Sequence, residues 1–186
     1  MRLFEALLDV NWRRVDGDKT AVVSVAEFSS ELPVAALTCI DPRLNELLPD
    51  MLGLPADQFI WLRNAGNIIT GPLTSTMRSL ALACAVKGAR EIVIIGHSDC
   101  QVGHMTMIKL LDQLKTLGVD RARLPENLAD YFGLFASEHQ NVIRGAELVR
   151  ISPIIGARIP VHGLLIDVHS GKLEWVVNGY RPVSHR

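Results

Sequence analysis

The chain has 186 residues, long enough for one domain with a sizeable core, and 48% of them are apolar and 21% charged, the balance of an ordinary globular protein. A formal net charge of −1 gives no electrostatic grip on nucleic acid or acidic lipid. No apolar stretch approaches the roughly 20 residues that cross a bilayer, and Met1 to Val10 carries Glu5 and Asp9 without a small-residue cleavage site, so a cytoplasmic protein is expected.

In chain order, a helical N-terminal arm is expected within residues 1–30, over about 2–14 and 20–30, as part of a single domain spanning 1–186. The run Val34 to Thr38 predicts a strand over 34–39 that ends in Cys39-Ile40-Asp41-Pro42-Arg43, with a short helix after it. A second strand near 58–62 ends in Arg63-Asn64-Ala65-Gly66-Asn67. The stripe Leu73, Met77, Leu80 and Cys84 predicts a helix over 72–87 that Gly88 stops, with Cys84 as a small buried hydrophobe. A third strand at 91–96 runs into Gly96-His97-Ser98-Asp99-Cys100.

Residues 104–117 form an amphipathic pattern, with Met107, Leu110, Leu111, Leu114 and Leu117 on one side, fit for core or for a dimer surface. Helix is expected through 125–149 with a break near Gly133, then strands at 161–167 and 173–177 around the turn His169-Ser170-Gly171-Lys172. Strands alternating with helices define an α/β fold. Its mostly parallel central sheet is flanked by helices, and the closing hairpin makes one edge antiparallel.

In such a sheet the carboxyl ends of the parallel strands share one edge, where ligands bind. That edge collects Cys39, His97 and Cys100, two thiols and an imidazole, the donors zinc favours; a catalytic zinc keeps three protein ligands and an open fourth position. His97 and Cys100 are three apart, on one side of a turn or of an opening helix. If Cys100 began that helix, its dipole would favour the ligating thiolate. Two thiolates cancel the charge of Zn²⁺, so a water on this metal needs help to ionise near neutrality. Asp41 supplies a carboxylate to accept its hydrogen bond, and Arg43 holds Asp41 in a bidentate pair.

These three clusters, in this order, resemble the signature motifs of β-class carbonic anhydrases. The resemblance covers roughly residues 34–177, including Val161-His162-Gly163 and Ser170-Gly171-Lys172-Leu173 near the end, and the chain length is similar to that of the compact subgroup. It implies Zn²⁺ on Cys39, His97 and Cys100, with Asp41 and Arg43 as the catalytic dyad. Zinc-bound hydroxide would attack CO₂ to give bicarbonate. It also implies a homodimer or higher homo-oligomer whose N-terminal helices pack on the partner. A closed state, in which Asp41 takes the fourth position and Arg43 is freed, is known in the family. Asn64, Ala65, Gly66 and Gln101 are taken as substrate-binding. Gln101 stands where the family usually has glycine, which bears on the substrate.

Three other readings compete. The same site can serve a sulfur analogue, carbon disulfide or carbonyl sulfide. A non-catalytic relative, used for zinc binding or assembly, would have a closed site with four protein ligands, and only Asp41 is placed to be the fourth. A hydrolase built on Ser98, Asp167 and His169 would follow the order of a nucleophile elbow, but Cys100 stands where the elbow needs glycine. Asp41 also has a purely local reading, as a helix cap ahead of Pro42. His104 fits an exposed polar position better than a proton shuttle.

Overall fold

A computed structural model describes residues 1–181. The helix α1, Leu3–Val15, precedes strand β1, Val34–Cys39, helix α2, Leu44–Leu52, and strand β2, Phe59–Asn64. Then come α3, Ser75–Ala85, β3, Glu91–His97, α4, Met107–Thr116, α5, Leu128–Phe132, and α6, Glu138–Arg150. The hairpin β4, Val161–Ile166, and β5, Leu173–Val177, closes the domain. The sheet order is β2-β1-β3-β4-β5, parallel except for the β4–β5 pair.

Strands β1 and β3 are buried along their whole length, as central parallel strands covered on both faces should be. Side chains alternate between two cores. Val34, Ala36, Val93, Ile95, Leu164 and Ile166 pack with α1 and α2, whereas Ala35, Leu37, Ile92 and Ile94 pack with α3 and α6. Helix α6 comes close to the sheet because the strands beneath it carry glycines. A Cβ on Gly96 would lie 2.5 Å from Val142 Cγ2, and one on Gly163 would lie 2.6 Å from Val142 Cγ1.

Helix α1 buries Leu3, Phe4, Leu7, Leu8 and Val10 in its own domain. Asn11 pins it there: Nδ2 donates to the carbonyls of Met51 (3.2 Å) and Gly171 (2.9 Å), and Oδ1 accepts from Leu173 N–H at 2.8 Å. At the amino ends of the strands, buried His162 accepts from Gly179 N–H through Nδ1, so its Nε2–H donates to Glu91 at 3.1 Å. Tyr180 donates to the same carboxylate at 2.9 Å and accepts from Phe4 N–H, which ties the start of the chain to the last strand.

Three expectations change. Residues 20–30 form turns, not helix. The 72–87 helix is shorter, because Thr74 caps it by accepting from Met77 N–H, which leaves Leu73 outside it and 67% exposed; Met77 and Leu80 are buried and Cys84 is half-buried. The helix expected from 104 begins at Met107, capped by Thr106, and none of its residues is fully buried. The break expected near Gly133 is present: Gly133, at φ 61°, ends α5, and α6 begins at Glu138. No helix among the described residues is long and apolar enough to cross a membrane.

Because Val142 fills the space above two glycines, Gly96→Val should overpack the α6–sheet contact and lower stability by about 1–3 kcal/mol. The measurement is the urea midpoint; an unchanged midpoint would show that α6 can lift off the sheet at no cost.

Candidate metal centre

The strand order places the site. From β1 the chain crosses to β2 on one side, then returns to β3 on the other, so the two crossovers run on opposite faces of the sheet. The crevice between the carboxyl ends of β1 and β3 is a topological switch point, the usual ligand position in open α/β sheets. Cys39 ends β1 and His97 ends β3.

Cys39, His97 and Cys100 are all buried, and their donor atoms lie within 4.8 Å of one another. His97 Nδ1–H donates to the Ser98 carbonyl at 2.9 Å, which leaves Nε2 as the lone-pair nitrogen, and that buried atom has no hydrogen-bond partner. An orphaned imidazole nitrogen beside two thiols is a metal ligand set, oriented by its other nitrogen as metal-binding histidines are. The donor set fits zinc. It is the only such group among the described residues, and no fourth protein ligand closes it.

No helix begins at Cys100; residues 101–104 are a turn. Thiolate stabilisation comes from local hydrogen bonds instead of a helix dipole. The Cys39 thiol is held far below its ordinary range, first by Cys100, then by the neighbouring His97 imidazole and by the main chain at Asp41 and Gly66. Gly66 N–H reaches Cys39 Sγ at 3.2 Å. Cys100 keeps its proton and is pushed up because it serves that thiolate and is buried. Burial works to lower the His97 imidazole, but the nearby Cys39 and the bond to Ser98 outweigh it and hold it above its ordinary value.

Asp41 lies beside this cluster, mostly buried. Its two oxygens accept from Arg43 Nε at 3.1 and 3.2 Å and from Nη2 at 2.8 Å, the bidentate pair that Cys-x-Asp-x-Arg suggested. Asp41 Oδ1 also accepts from Arg43 N–H at 3.0 Å, so the local capping role coexists with the dyad. Arg43 holds the Asp41 carboxyl below the usual range, and it therefore stays a carboxylate.

The substrate-binding candidates part company. Gln101 is exposed and lines a pocket of about 430 Å³ with Cys39, Asp41, Arg43 and Cys100. Gly66 meets the site through its main chain. Its φ of 68° and the nearness of Phe135 and Val102, 2.8 and 3.2 Å from a Cβ placed there, require glycine. Ala65 is exposed. Asn64 turns away: Nδ2 donates to Ile68 O at 2.8 Å and Thr76 Oγ1 at 3.2 Å, and the residue lines a separate cavity with Ser75 and Ser79.

Two supporting residues were not found from sequence. Asn141 Nδ2 donates to Gly66 O at 2.9 Å, and Glu138 Oε1 accepts from Cys100 N–H at 3.3 Å. They are three apart on α6 and share a face, but nothing local says which loops that face meets. The hydrolase reading fails on geometry. Ser98 Oγ donates to Asp167 at 3.2 Å and accepts from Val168 N–H, while Asp167 Oδ1 is occupied by the turn at His169 and Ser170. The His169 ring takes no part.

Fold and site together define an α/β protein with a Cys-His-Cys metal centre at the sheet's switch point and a carboxylate–guanidinium dyad beside it. The carbonic anhydrase family model matches residues 34–173, and the chain belongs to the β-carbonic anhydrase family. It is 33% identical over 183 residues to YvdA of Bacillus subtilis strain 168, a carbonic anhydrase by provisional name, covering 94% of this chain and 91% of that one. It is also 32% identical over 150 residues to a carbon disulfide hydrolase of Acidithiobacillus thiooxidans, covering 73% of each. The solved β-carbonic anhydrase isoform I of Trichomonas vaginalis superposes with a TM-score of 0.75 at 29% identity, covering 81% of this chain and 85% of that one.

With the Cys39 thiol held low and the Cys100 thiol pushed up in the metal-free site, zinc uptake must expel the Cys100 proton. Titrating zinc into metal-free protein near pH 7 should release protons, and affinity should rise with pH. Uptake without proton release would contradict the shared-proton arrangement. Cys39→Ser and His97→Ala should each lose zinc on dialysis, measured by elemental analysis.

Proposed function

We propose that this chain is a cytoplasmic, homodimeric enzyme that reversibly hydrates carbon dioxide to bicarbonate and a proton. The observation that carries this reading is the open, three-ligand centre beside an Asp41 carboxylate already locked by Arg43. Zinc bound there supplies a Lewis acid that brings the pKa of a water towards neutrality. Asp41, ionised and fixed, accepts a hydrogen bond from the attacking water and turns its lone pair towards the substrate carbon. Arg43 keeps that carboxylate in register through its bidentate pair. The proton passes to solvent or buffer: His104 is largely exposed and paired with Asp99, outside the pocket that Asp41 lines.

Gln101 takes the role of a specificity residue at the pocket mouth, and the Gly66 loop supports the site through its main-chain bond to Cys39. Asn64 acts indirectly by holding that loop. Support for a homodimer comes from apolar surface along one edge: Leu73, Leu82 and Val86 are exposed near edge strand β2, whose Ile60, Trp61 and Leu62 are only half-buried.

The carbon disulfide hydrolase relative favours a second reading on the same residues, with two waters consumed and two hydrogen sulfides released per carbon disulfide. Side-by-side assays decide it. CO₂ hydration is expected; hydrogen sulfide from carbon disulfide with no CO₂ hydration would overturn the first reading. Asp41→Asn should retain zinc and lower kcat/KM for CO₂ about 10²-fold, the scale of a lost proton-handling group. Full activity in that variant would remove Asp41 from the reaction.

A further inference from the structure

Asp41 accounts for only part of what Arg43 does. It engages Nε and Nη2, and Nη1 points elsewhere. Nη1 donates to Asp99 Oδ2 at 2.9 Å, and Nη2 also donates to the Asp99 main-chain carbonyl at 2.9 Å. One residue offers both acceptors because Asp99 has a φ of 53°, in the left-handed region that aspartate and asparagine enter more readily than other side chains. The other group facing this carboxylate is His104, whose Nε2 lies 3.5 Å from Oδ1.

We propose that Asp99 is a positioning residue that clamps Arg43 from the side opposite Asp41 and so fixes the dyad relative to the metal ligands. This rests on the roles given above to Asp41 and Arg43. A guanidinium is planar, with donors in a fixed fork. Held by Asp41 alone, it can swing with Asp41 as one unit. Held at both ends, it cannot.

The second anchor comes from a different strand exit. Asp41 and Arg43 follow β1, whereas Asp99 lies between His97 and Cys100 on the β3 side. The clamp therefore spans the switch-point crevice and references the dyad to the two ligands that β3 supplies.

The pair is not a stability device. Asp99 is 57% exposed and Arg43 39%, and exposed ion pairs contribute little to folding. Loss of Asp99 should therefore appear in turnover and in Arg43 mobility, with the urea midpoint nearly unchanged. A merely structural role would show the reverse.

The test uses Asp99→Gly, which suits the positive φ and keeps the carbonyl, and Asp99→Asn, which keeps a neutral acceptor. Zinc content should stay at the wild-type level in both. We expect kcat for CO₂ hydration to fall about tenfold in Asp99→Gly and about threefold in Asp99→Asn, since a charge-assisted bond is roughly twice as strong as a neutral one. In zinc-free and zinc-loaded protein alike, the Arg43 Nη resonances should be resolved in the wild type and averaged by rotation in Asp99→Gly. In an Arg43→Ala background, Asp99→Gly should cost nothing more, because coupled residues are non-additive.

Unchanged Nη resonances, wild-type turnover in Asp99→Gly beside an impaired Arg43→Ala, losses that simply add, or loss of zinc would each overturn the proposal. Full activity in Arg43→Ala would instead bring down the dyad reading itself, a result distinct from any of these.

Discussion

A buried thiolate is the demand around which this structure is arranged. Cys39 is buried and its thiol is held well below its ordinary range, and a buried thiolate is costly unless hydrogen bonds or a cation replace the water it has lost. Two groups from distant parts of the chain do so in the metal-free site: Cys100 after β3 and the Gly66 amide after β2. They meet only because β2 and β3 flank β1 on opposite sides. The thiolate thus turns a property of sheet topology into a metal centre.

The surroundings hold that arrangement from outside. Helix α6 seats itself over Gly96 and Gly163, and its first turns reach the Gly66 carbonyl through Asn141 and the Cys100 amide through Glu138. A larger side chain at either glycine would move the helix, and with it both loops. Close packing and site geometry are one problem here, since interiors transmit strain instead of absorbing it. Supporting shells of this kind decide how well a site is preorganised.

Charge sets the division of labour at the centre. Two thiolates leave a bound zinc nearly neutral, so acidifying a water falls partly to the surroundings. A third negative charge free to approach the metal would defeat that, and in the proposed mechanism the Arg43 pair keeps the Asp41 carboxylate occupied. The pocket wall around the dyad is apolar at Ile40, Pro42 and Val102, which suits a small uncharged substrate. Gln101 is the polar exception at the mouth.

Much of this was legible in the sequence, for a definite reason. Apolar runs such as Val34 to Thr38 and Ile92 to Ile95 mark central strands because both faces are covered, and the polar clusters after them mark one edge because parallel strands share direction. Fold class, metal ligands and dyad follow from those two facts. Boundaries did not follow: residues 20–30 lack a helix, and α3 and α4 start where Thr74 and Thr106 cap them, later than periodicity implied. Asn64 sits within a motif yet faces another cavity, since strand residues point to alternate sides and sequence does not give the register. The clamp on Arg43 and the α6 contacts belong to tertiary structure alone. They depend on which loops a strand order brings together, and no local pattern of residues records that distance.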